Sequence, residues 1–280
     1  MGEMMNKTWL ITGCSSGLGQ TLAQAVAARG DRLVATARNP ASLQALARQF
    51  PDTVRVCALD VTRPETAHAA VALAVDAFGG LDVLVNNAGH GLYGAVEEVE
   101  PDEYRPMFEV NLFGLIETTR AALPALRKRP GGRIVNLSSI AGLSGGAGSG
   151  YYAASKFAVE GLSESLDQEL PPLGLRVIVV EPGPFRTDFL GRSMTLAGRR
   201  IADYDLSAGQ RRIYRESNDG KQAGDPAKAV EVIQRAVDSD APPLHLPLGR
   251  VAHGVVDRKL AALREDVDAW RRISIATDFD

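Results

Sequence analysis

The sequence is poor in the features that mark several other classes of protein. It contains two cysteines, Cys14 and Cys57, and no CxxC or HExxH motif, so we expect no disulfide framework and no metal site. The formal net charge is −3 and the basic residues are scattered, which argues against a nucleic-acid partner. No apolar run approaches the ~18 residues of a membrane-spanning helix, and the N-terminal MGEMMNK has no apolar signal region. These absences predict a cytoplasmic protein without a membrane partner.

A strand, a glycine-rich turn and a helix follow one another near the N-terminus. The apolar run Trp9–Thr12 ends at Gly13, and an amphipathic pattern covers Leu18–Arg29. Glycines at 13, 17 and 19 would allow a tight turn, a close approach of the backbone to a pyrophosphate and close packing of helix on strand. The N–H groups at the start of such a helix suit a phosphate. The alternative is that Gly13, Gly17 and Gly19 serve only a tight turn.

The ends of the next two strands carry the residues expected to select the cofactor. The second strand, Arg32–Thr36, is followed by Arg38 and by no acid, whereas NAD sites usually place an acid there to bind the ribose. Because a guanidinium fits a 2′-phosphate, we expect NADP(H), with NAD(H) as the alternative if Arg38 is only a solvated loop residue. The third strand, Val54–Leu59, delivers Asp60, which would either accept a hydrogen bond from the adenine or cap the helix that begins near Pro64.

The fourth strand, Val83–Val85, leads into the turn Asn86-Asn87-Ala88-Gly89. Open α/β sheets bind ligands at such carboxyl ends. His90 follows, and we interpret it as structural or substrate-lining. The region Pro101–Arg129 predicts one long helix or two in tandem, interrupted near Pro106. It contains Asn111, for which a buried polar network is the simplest explanation.

The segment after the fifth strand, Arg133–Leu137, gives the most specific indication of a catalytic site. Ser139 is followed at a fixed spacing by Tyr152 and Lys156, and the last two lie one turn apart on one face of the predicted helix Tyr152–Leu170. An ammonium about 4 Å from a phenol would lower the pKa of the phenol and make it a general acid or base. Tyr151 has no lysine four residues later. The alternative is that a tyrosine and a lysine share a helix face by chance.

The remainder of the chain completes an alternation of strands and helices. A sixth strand at Arg176–Val180 precedes the weakly periodic residues 188–224, which we interpret as a mobile segment covering a substrate. A helix from Asp225 to about Val237 and a short strand within Pro242–Leu248 follow. The helical tail 251–275 has an apolar stripe formed by Val255, Leu260, Leu263, Val267 and Trp270. This alternation predicts an α/β fold with a parallel sheet covered on both faces, and a single domain over residues 1–280.

These motifs occur together and in order, and the chain resembles classical short-chain dehydrogenases/reductases over about residues 6–250. The resemblance rests on TGCSSGLG, Asp60-Val61, NNAG, Asn111, the Ser139–Tyr152–Lys156 set and the Pro-Gly after the sixth strand. TGCSSGLG, ATARN and NNAGHGLYGAVEE resemble the group of 17β-hydroxysteroid and retinol dehydrogenases and its bacterial relatives. The resemblance implies a Rossmann-type, doubly wound sheet of about seven strands and NAD(P)(H)-dependent oxidoreductase activity.

The resemblance also implies a role for each site residue. Tyr152 would exchange a proton with the substrate oxygen, Ser139 would orient that oxygen, Lys156 would bind the nicotinamide ribose, and Asn111 would hold a water in a proton relay. The residues expected to contact the cofactor are Gly13, Ser15, Ser16, Gly17, Leu18, Gly19, Arg38, Asp60, Val61, Asn87, Ala88, Gly89, Tyr152, Lys156, Pro182, Gly183, Phe185 and Thr187.

The same resemblance bears on substrate, cofactor and assembly. An apolar pocket would be lined by Leu143, Phe185, Phe189, Leu190 and Met194, which suits a hydrophobic ketone or secondary alcohol. Many NADP-preferring members carry a basic residue where this chain has Ser16. Family members commonly pair through the helices corresponding to 101–129 and 152–170, so we expect a homodimer or homotetramer. The alternatives are a catalytically idle dinucleotide-binding regulator and a non-redox enzyme such as an epimerase.

Overall fold

The computed structural model describes residues 6–279, and a seven-stranded parallel sheet forms its centre. The strands occur in the order β3-β2-β1-β4-β6-β7-β9. Their bounds are β1 Thr8–Ile11, β2 Arg32–Ala37, β3 Val54–Ala58, β4 Val83–Asn86, β6 Arg133–Leu137, β7 Arg176–Pro182 and β9 His245–Leu248. The predicted α/β fold with a Rossmann-type, doubly wound parallel sheet is confirmed.

The central strands are short and mostly apolar because both faces of the sheet are covered. Every residue of β1, β4 and β6 is buried. Parallel strands that are buried on both sides read as continuous apolar segments and not as alternating ones. The last strand, β9, contains Pro247 and lies at the edge of the sheet, where a missing N–H is tolerated.

Helices cover the two faces of the sheet in two separate apolar clusters. Helices α1, α2 and α8 pack on one face, and α3, α5 and α6 pack on the other. The helices of the chain span α1 Gly17–Ala28, α2 Gln44–Gln49, α3 Pro64–Phe78, α4 Pro101–Phe108, α5 Gly114–Leu126, α6 Gly150–Glu169, α7 Gln210–Asn218, α8 Pro226–Asp238 and α9 Arg250–Ser274. The described helices include none that is both long and apolar enough to cross a membrane.

The strand order places the candidate site at the carboxyl ends of β1 and β4. The chain leaves β1 toward β2 and β3 on one side, and it continues from β4 toward β6, β7 and β9 on the other. Ligands of open α/β sheets bind in the crevice at this switch point. The glycine turn after β1 and the Asn87-Ala88-Gly89 turn after β4 therefore meet at the same edge.

Two predictions about local structure need correction. The long helix is not interrupted near Pro106, which lies within α4, but at Glu109–Phe113, where one π-helical turn joins α4 to α5. The covering segment is also more regular than its weak periodicity indicated. It contains α7 and a short strand β8, Met194–Leu196, which pairs in parallel with β5, Gly91–Tyr93.

Candidate active site

The turn after β1 has the backbone shape that its glycines predicted. Gly13 and Gly17 adopt positive φ angles of 72° and 59°, which favour glycine. A Cβ on Gly19 would lie 2.2 Å from the Asn87 side-chain nitrogen and 2.5 Å from the Gly13 carbonyl oxygen. Gly19 therefore lets helix α1 pack against the two turns, and it does not line the cavity described below.

The start of helix α1 is available to an anionic group. Ser16 occupies the N-cap position without a side-chain capping bond, and no acidic residue occurs in the first turn. Uncapped N–H groups and the positive end of the helix dipole attract phosphate. The structure therefore fits the pyrophosphate of a dinucleotide at this point.

Asn87 and Thr12 join the two turns through partly buried hydrogen bonds. The Asn87 side-chain amide donates to the carbonyl oxygens of Thr12 at 2.8 Å and Gly13 at 3.0 Å. The Thr12 hydroxyl accepts bonds from the backbone N–H groups of Asn87 and Ala88, both at 2.9 Å. Asn87 thus fixes the glycine turn against the end of β4.

Arg38 and Asp60 lie side by side at the ends of β2 and β3. The Asp60 carboxylate accepts hydrogen bonds from the Thr62 N–H at 3.1 Å and hydroxyl at 2.7 Å. Burial acts to raise the pKa of Asp60, but these bonds and the charges of Arg38 and Arg63 hold it below its ordinary value. Because Arg63 occupies the N-cap position of α3, the alternative role of Asp60 as a helix cap is wrong.

Ser139 and Tyr152 are brought together by strand β6 and helix α6. The Ser139 hydroxyl accepts a hydrogen bond from the Ala141 N–H at 3.1 Å and lies within hydrogen-bonding reach of the Tyr152 phenol. Tyr152 is 7% exposed. Burial raises its pKa far above the ordinary value of a tyrosine, and the bond to Ser139 opposes this only in part.

Lys156 lies on the same helix face as Tyr152. Its Nζ donates to the Leu137 carbonyl oxygen at 2.7 Å and lies 5.9 Å from the centre of the Tyr152 ring. Burial lowers the pKa of Lys156 to about 8, against the opposing charge of Glu160. Burial of the phenol is the dominant effect on the pKa of Tyr152 in this structure, and the lowering of that pKa by Lys156 stays a prediction.

Asn111 lies behind the site and lines no part of the cavity. It is 1% exposed and sits in the π-helical turn between α4 and α5. Its amide donates to the His90 carbonyl at 2.8 Å and to the Ser155 hydroxyl at 3.2 Å, and it accepts from the His90 N–H at 2.9 Å. A Cβ on Gly89 would lie 3.1 Å from the Asn111 oxygen and 3.7 Å from Lys156 Nζ, which places the amide close to the ammonium.

One cavity of about 1220 Å³ connects these groups. The predicted site residues that line it are Gly13, Ser15, Ser16, Gly17, Leu18, Arg38, Asp60, Val61, Asn87, Ala88, Gly89, Ser139, Tyr152, Lys156, Pro182, Gly183, Phe185 and Thr187. Of the residues predicted to be catalytic or to contact the cofactor, only Gly19 and Asn111 do not line this cavity. The cavity extends from the ends of β2 and β3, past the glycine turn, to Tyr152.

The chain matches a known protein family over about two thirds of its length. Residues 7–195 match the model of the short chain dehydrogenase family. The chain belongs to the short-chain dehydrogenase family. Oxidoreductase BOA17 of Botryotinia fuckeliana is 34% identical over 98% of this chain and 100% of its own length. The 3-ketodihydrosphingosine reductase of Bacteroides thetaiotaomicron is 35% identical over 86% of this chain and 87% of its own.

Solved structures of short-chain dehydrogenases share this fold. A short-chain dehydrogenase from Streptomyces avermitilis is 40% identical, with a TM-score of 0.91 over 98% of this chain and 100% of its own. An alcohol dehydrogenase from Thermococcus sibiricus, solved with 5-hydroxy-NADP, is 26% identical, with a TM-score of 0.72 over 86% and 95% of the two chains. A Burkholderia phymatum member solved with NAD shares the fold at 23% identity, with a TM-score of 0.80 over 96% of each chain. Structural neighbours within the family thus bind either dinucleotide.

The substrate end of this short-chain dehydrogenase differs in part from the sequence prediction. Phe185, Phe189 and Leu190 line the cavity as expected. Leu143 and Met194 do not, which corrects the prediction for both. Met194 is 2% exposed and fills the space above Gly91 in the β5–β8 pair, and Leu143 follows the 3-10 turn at 140–142, which leaves it outside the lining.

The sequence interpretation missed several residues that line the cavity. Tyr93, Arg211 and Tyr214 line the cavity, and Arg211 lies over both tyrosine rings at 5.5 and 5.9 Å. The base of helix α9 contributes Val251, Val255 and Arg258. No local motif marks these positions, because long-range pairing of β5 with β8 brings the covering segment to the site.

His90 lies on the cofactor side of the cavity. Burial lowers its pKa, and the charges of Arg38 and Lys156 lower it further. A histidine held neutral between two cations is a poor general base. Its backbone instead fixes Asn111, which agrees with the structural role predicted for it.

Glu98 fastens the covering segment to the body of the enzyme. Its carboxylate, 1% exposed, accepts bonds from the N–H groups of Ala95 at 2.8 Å and Ile201 at 2.9 Å. The Arg212 guanidinium approaches it at 3.5 Å. Burial would raise the pKa of Glu98, but these donors hold it below its ordinary value. The mobility predicted for residues 188–224 stays a prediction.

Two buried acids, Glu160 and Glu181, form a cluster with His245. Glu160 and Glu181 are 5% and 0% exposed, and His245 Nδ1 lies 2.8 Å from a Glu181 oxygen and 3.7 Å from a Glu160 oxygen. Burial raises the pKa of Glu160 and raises that of Glu181 to about 7. Ligand-type atoms of the three side chains lie within 4.8 Å of one another, but the raised pKa values favour protons over a cation there.

Proposed function

We propose that this short-chain dehydrogenase is an NADP(H)-dependent reductase of hydrophobic ketones, with Tyr152 as the general acid. One observation carries the proposal: the glycine turn, Arg38, Ser139 and Tyr152 all line one continuous cavity. Along this cavity, the start of helix α1 would hold the phosphates of a dinucleotide, and the end at Tyr152 would hold its nicotinamide. The bound cofactor supplies the hydride that adds to the carbonyl carbon.

The chain itself needs to manage one proton and one oxygen. Hydride addition converts the ketone oxygen to an alkoxide, a far stronger base than a phenolate. Because burial keeps the Tyr152 phenol protonated at neutral pH, it can donate its proton to that oxygen. Ser139, in reach of the same phenol, holds the oxygen in line. Lys156 lies one helix turn further on, where its ammonium would bind the nicotinamide ribose and favour the phenolate that proton transfer leaves behind.

Arg38 supports the preference for NADP(H) over NAD(H). It is exposed, lines the cavity beside Asp60 and stands where an NAD-selective site has an acid. Ser15 and Ser16 line the same end and supply further donors for a phosphate.

A hydrophobic ketone suits the other end of the cavity. Phe185, Phe189 and Leu190 line it, and the Phe189 ring lies 5.9 Å from the Tyr152 ring. The relative from Bacteroides thetaiotaomicron is named as a reductase of a long-chain keto compound, which is the same class. The secondary alcohol is the substrate in the reverse direction, and a high ratio of NADPH to NADP⁺ favours reduction.

Assembly as a homodimer or homotetramer is part of the proposal. Phe113 and Phe157, on the helices through which family members commonly pair, are 49% and 42% exposed in the single chain. Apolar side chains exposed together favour a protein interface. The cytoplasmic location expected from the sequence stays a prediction.

A panel of ketones and secondary alcohols, assayed with NADPH and with NADH, tests the function. We expect NADPH to be consumed with hydrophobic ketones, and more slowly with matched polar ones. Tight binding of NADPH without net consumption on any member of the panel would favour a dinucleotide-binding regulator. Isomerisation of an alcohol without net change in NADPH would favour an epimerase.

A further inference from the structure

The outer part of helix α9 carries an apolar seam that nothing in residues 6–279 covers. Every side chain from Asp257 to Phe279 is exposed. The helix therefore projects about 27 Å beyond the body of the enzyme, at 1.5 Å per residue from 257 to 274. Leu260, Leu263, Val267 and Trp270 along this projection are 61%, 50%, 45% and 65% exposed. Exposed apolar patches with polar borders are typical of interaction sites.

The spacing of these residues indicates that the partner is another helix. Val256, Leu260, Leu263, Val267 and Trp270 follow one another at intervals of 4, 3, 4 and 3. This is the heptad spacing of the a and d positions in a coiled coil, which differs from the broader stripe of a helix packed on a globular core. We call these five residues the α9 seam.

The charges beside the seam favour a second copy of the same helix over a lipid surface. Between residues 257 and 272 the helix has five basic and four acidic side chains. Arg264 and Arg271 both pair with Asp268 on the same helix. Helices that bind anionic membranes have a strongly basic polar face, which this helix lacks. A nearly balanced set of charges does not repel its own copy.

We propose that α9 pairs with α9 of a second copy of this chain, antiparallel and about a two-fold axis near Glu265. This arrangement sets Leu260 against the partner's Trp270 and Leu263 against the partner's Val267. It also brings Asp257 opposite the partner's Arg271 at flanking positions, twice by symmetry, and Arg264 opposite the partner's Arg264 beside the axis. A parallel pair would instead bring Lys259 beside the partner's Arg264 and Asp266 beside the partner's Arg271, so charge does not distinguish the two directions, and cysteine crosslinking does. A two-fold interface of this kind is closed and self-complementary.

Pairing through α9 would act on the active site through the base of the helix. Val251, Val255 and Arg258 line the cavity. The antiparallel arrangement places the C-terminal end of the partner's helix alongside that base, so one wall of the cavity is held by the assembly. The surface is separate from Phe113 and Phe157, and the inference holds whether or not the proposed reduction is correct.

Tryptophan fluorescence reports directly on the α9 seam. The chain has two tryptophans, of which Trp9 is 0% exposed and Trp270 lies in the seam. We expect acrylamide to quench Trp270 weakly in the full-length protein at micromolar concentration. Replacing both Leu263→Glu and Val267→Glu is expected to make Trp270 fully quenchable and to lower the sedimenting mass by a factor of about two. Ala262→Glu, on the opposite face, is the matched control and should leave both readings unchanged.

Two results would overturn this inference. In the first, acrylamide quenches Trp270 equally well in the wild type and in the double variant Leu263→Glu/Val267→Glu, and the two proteins have equal sedimenting masses. In the second, Trp270 is shielded from acrylamide only after vesicles of phosphatidylcholine and phosphatidylglycerol are added, which would assign the seam to a membrane surface.

Cysteine crosslinking tests the antiparallel arrangement. In a Cys57→Ser background, chains carrying Leu263→Cys are mixed with chains carrying Val267→Cys and oxidised. We expect disulfides between the two kinds of chain. Disulfides only between like chains would contradict the antiparallel pair.

Discussion

Tyr152 and Lys156 are both buried, and burial changes their pKa values in opposite directions. It raises the pKa of the phenol and lowers that of the ammonium to about 8. Each group is thereby biased toward its neutral form. A neutral phenol is a proton donor, which is the state that the proposed reduction requires of Tyr152.

Arg38 is the residue on which the proposed choice of cofactor depends. A guanidinium bonded to a phosphate contributes about 1.5–3 kcal/mol, which corresponds to roughly 10- to 100-fold in kcat/KM. We expect Arg38→Ala to lower kcat/KM for NADPH by that factor and to leave the value for NADH nearly unchanged. Arg63→Ala is the matched control, since Arg63 also acts on Asp60 but does not line the cavity. Equal losses with both cofactors would show that Arg38 does not contact a 2′-phosphate.

Glu181 makes stability depend on pH. Its pKa is raised from 4.5 to about 7 by burial and by the charge of Glu160, with His245 opposing. Because the folded state disfavours the charged form of Glu181, its stability is highest below the ordinary pKa of 4.5. This stability is lost as the pH rises toward the folded-state pKa of about 7. The free energy of unfolding should therefore fall by up to about 3 kcal/mol between pH 4.5 and 7.

Urea unfolding of Glu181→Gln tests this dependence, in buffer with a chelator. We expect the variant to have a flatter stability profile between about pH 5 and pH 8 than the wild type. Glu164→Gln replaces an exposed acid on the neighbouring helix and should keep the wild-type profile. An unchanged slope in Glu181→Gln would remove Glu181 as the titrating group.

The covering segment, residues 188–224, shows how one buried side chain can position a whole element. Glu98 bonds the Ile201 backbone and approaches Arg212, so it fixes the segment at two points. In Glu98→Ala these donors lose a buried acceptor, which costs about 3–5 kcal/mol. We expect trypsin to cleave within the segment much faster and KM for the ketone to rise.

Glu97→Ala is the control for this element. Glu97 also contacts the segment, through a bond to the Tyr204 hydroxyl at 2.9 Å, but that bond is exposed. Exposed polar contacts contribute little, so cleavage should proceed at the wild-type rate. If Glu98→Ala were as resistant to trypsin as Glu97→Ala, the anchoring role of Glu98 would be wrong.

For the molecule as a whole, the sequence predicts best where structure is local. The strand at Arg133–Leu137 has the same bounds in the prediction and in the structure, because a parallel strand buried on both faces is mostly apolar, here at Ile134, Val135 and Leu137. The residues at the cofactor end could be predicted from short motifs at the ends of strands, and nearly all of these residues line the cavity. The substrate end depends on the pairing of Gly91–Tyr93 with Met194–Leu196, which are far apart in sequence. The prediction for Met194 failed for that reason, whereas Leu143 follows the 3-10 turn at 140–142 and lies outside this pair of strands.

The tail illustrates a different limit of sequence reasoning. Its helix and its apolar stripe were both predicted, but only Val255 of the stripe lies against the body of the enzyme, where it lines the cavity, and the other four residues are exposed. A heptad pattern specifies that a helix pairs and does not specify with which surface of the fold. Exposure of Leu260 and Trp270 becomes informative only once the remaining elements are in place.

Turnover by Tyr152→Phe shows whether Tyr152 is the general acid. On a ketone that the wild type reduces, we expect kcat/KM to fall by about 10²- to 10⁴-fold, the usual contribution of a general acid. NADPH should still bind with an unchanged Kd, and Tyr151→Phe, which removes the adjacent phenol, should keep nearly full activity. Tyr152→Phe that reduces the ketone at the wild-type rate would contradict this role of Tyr152.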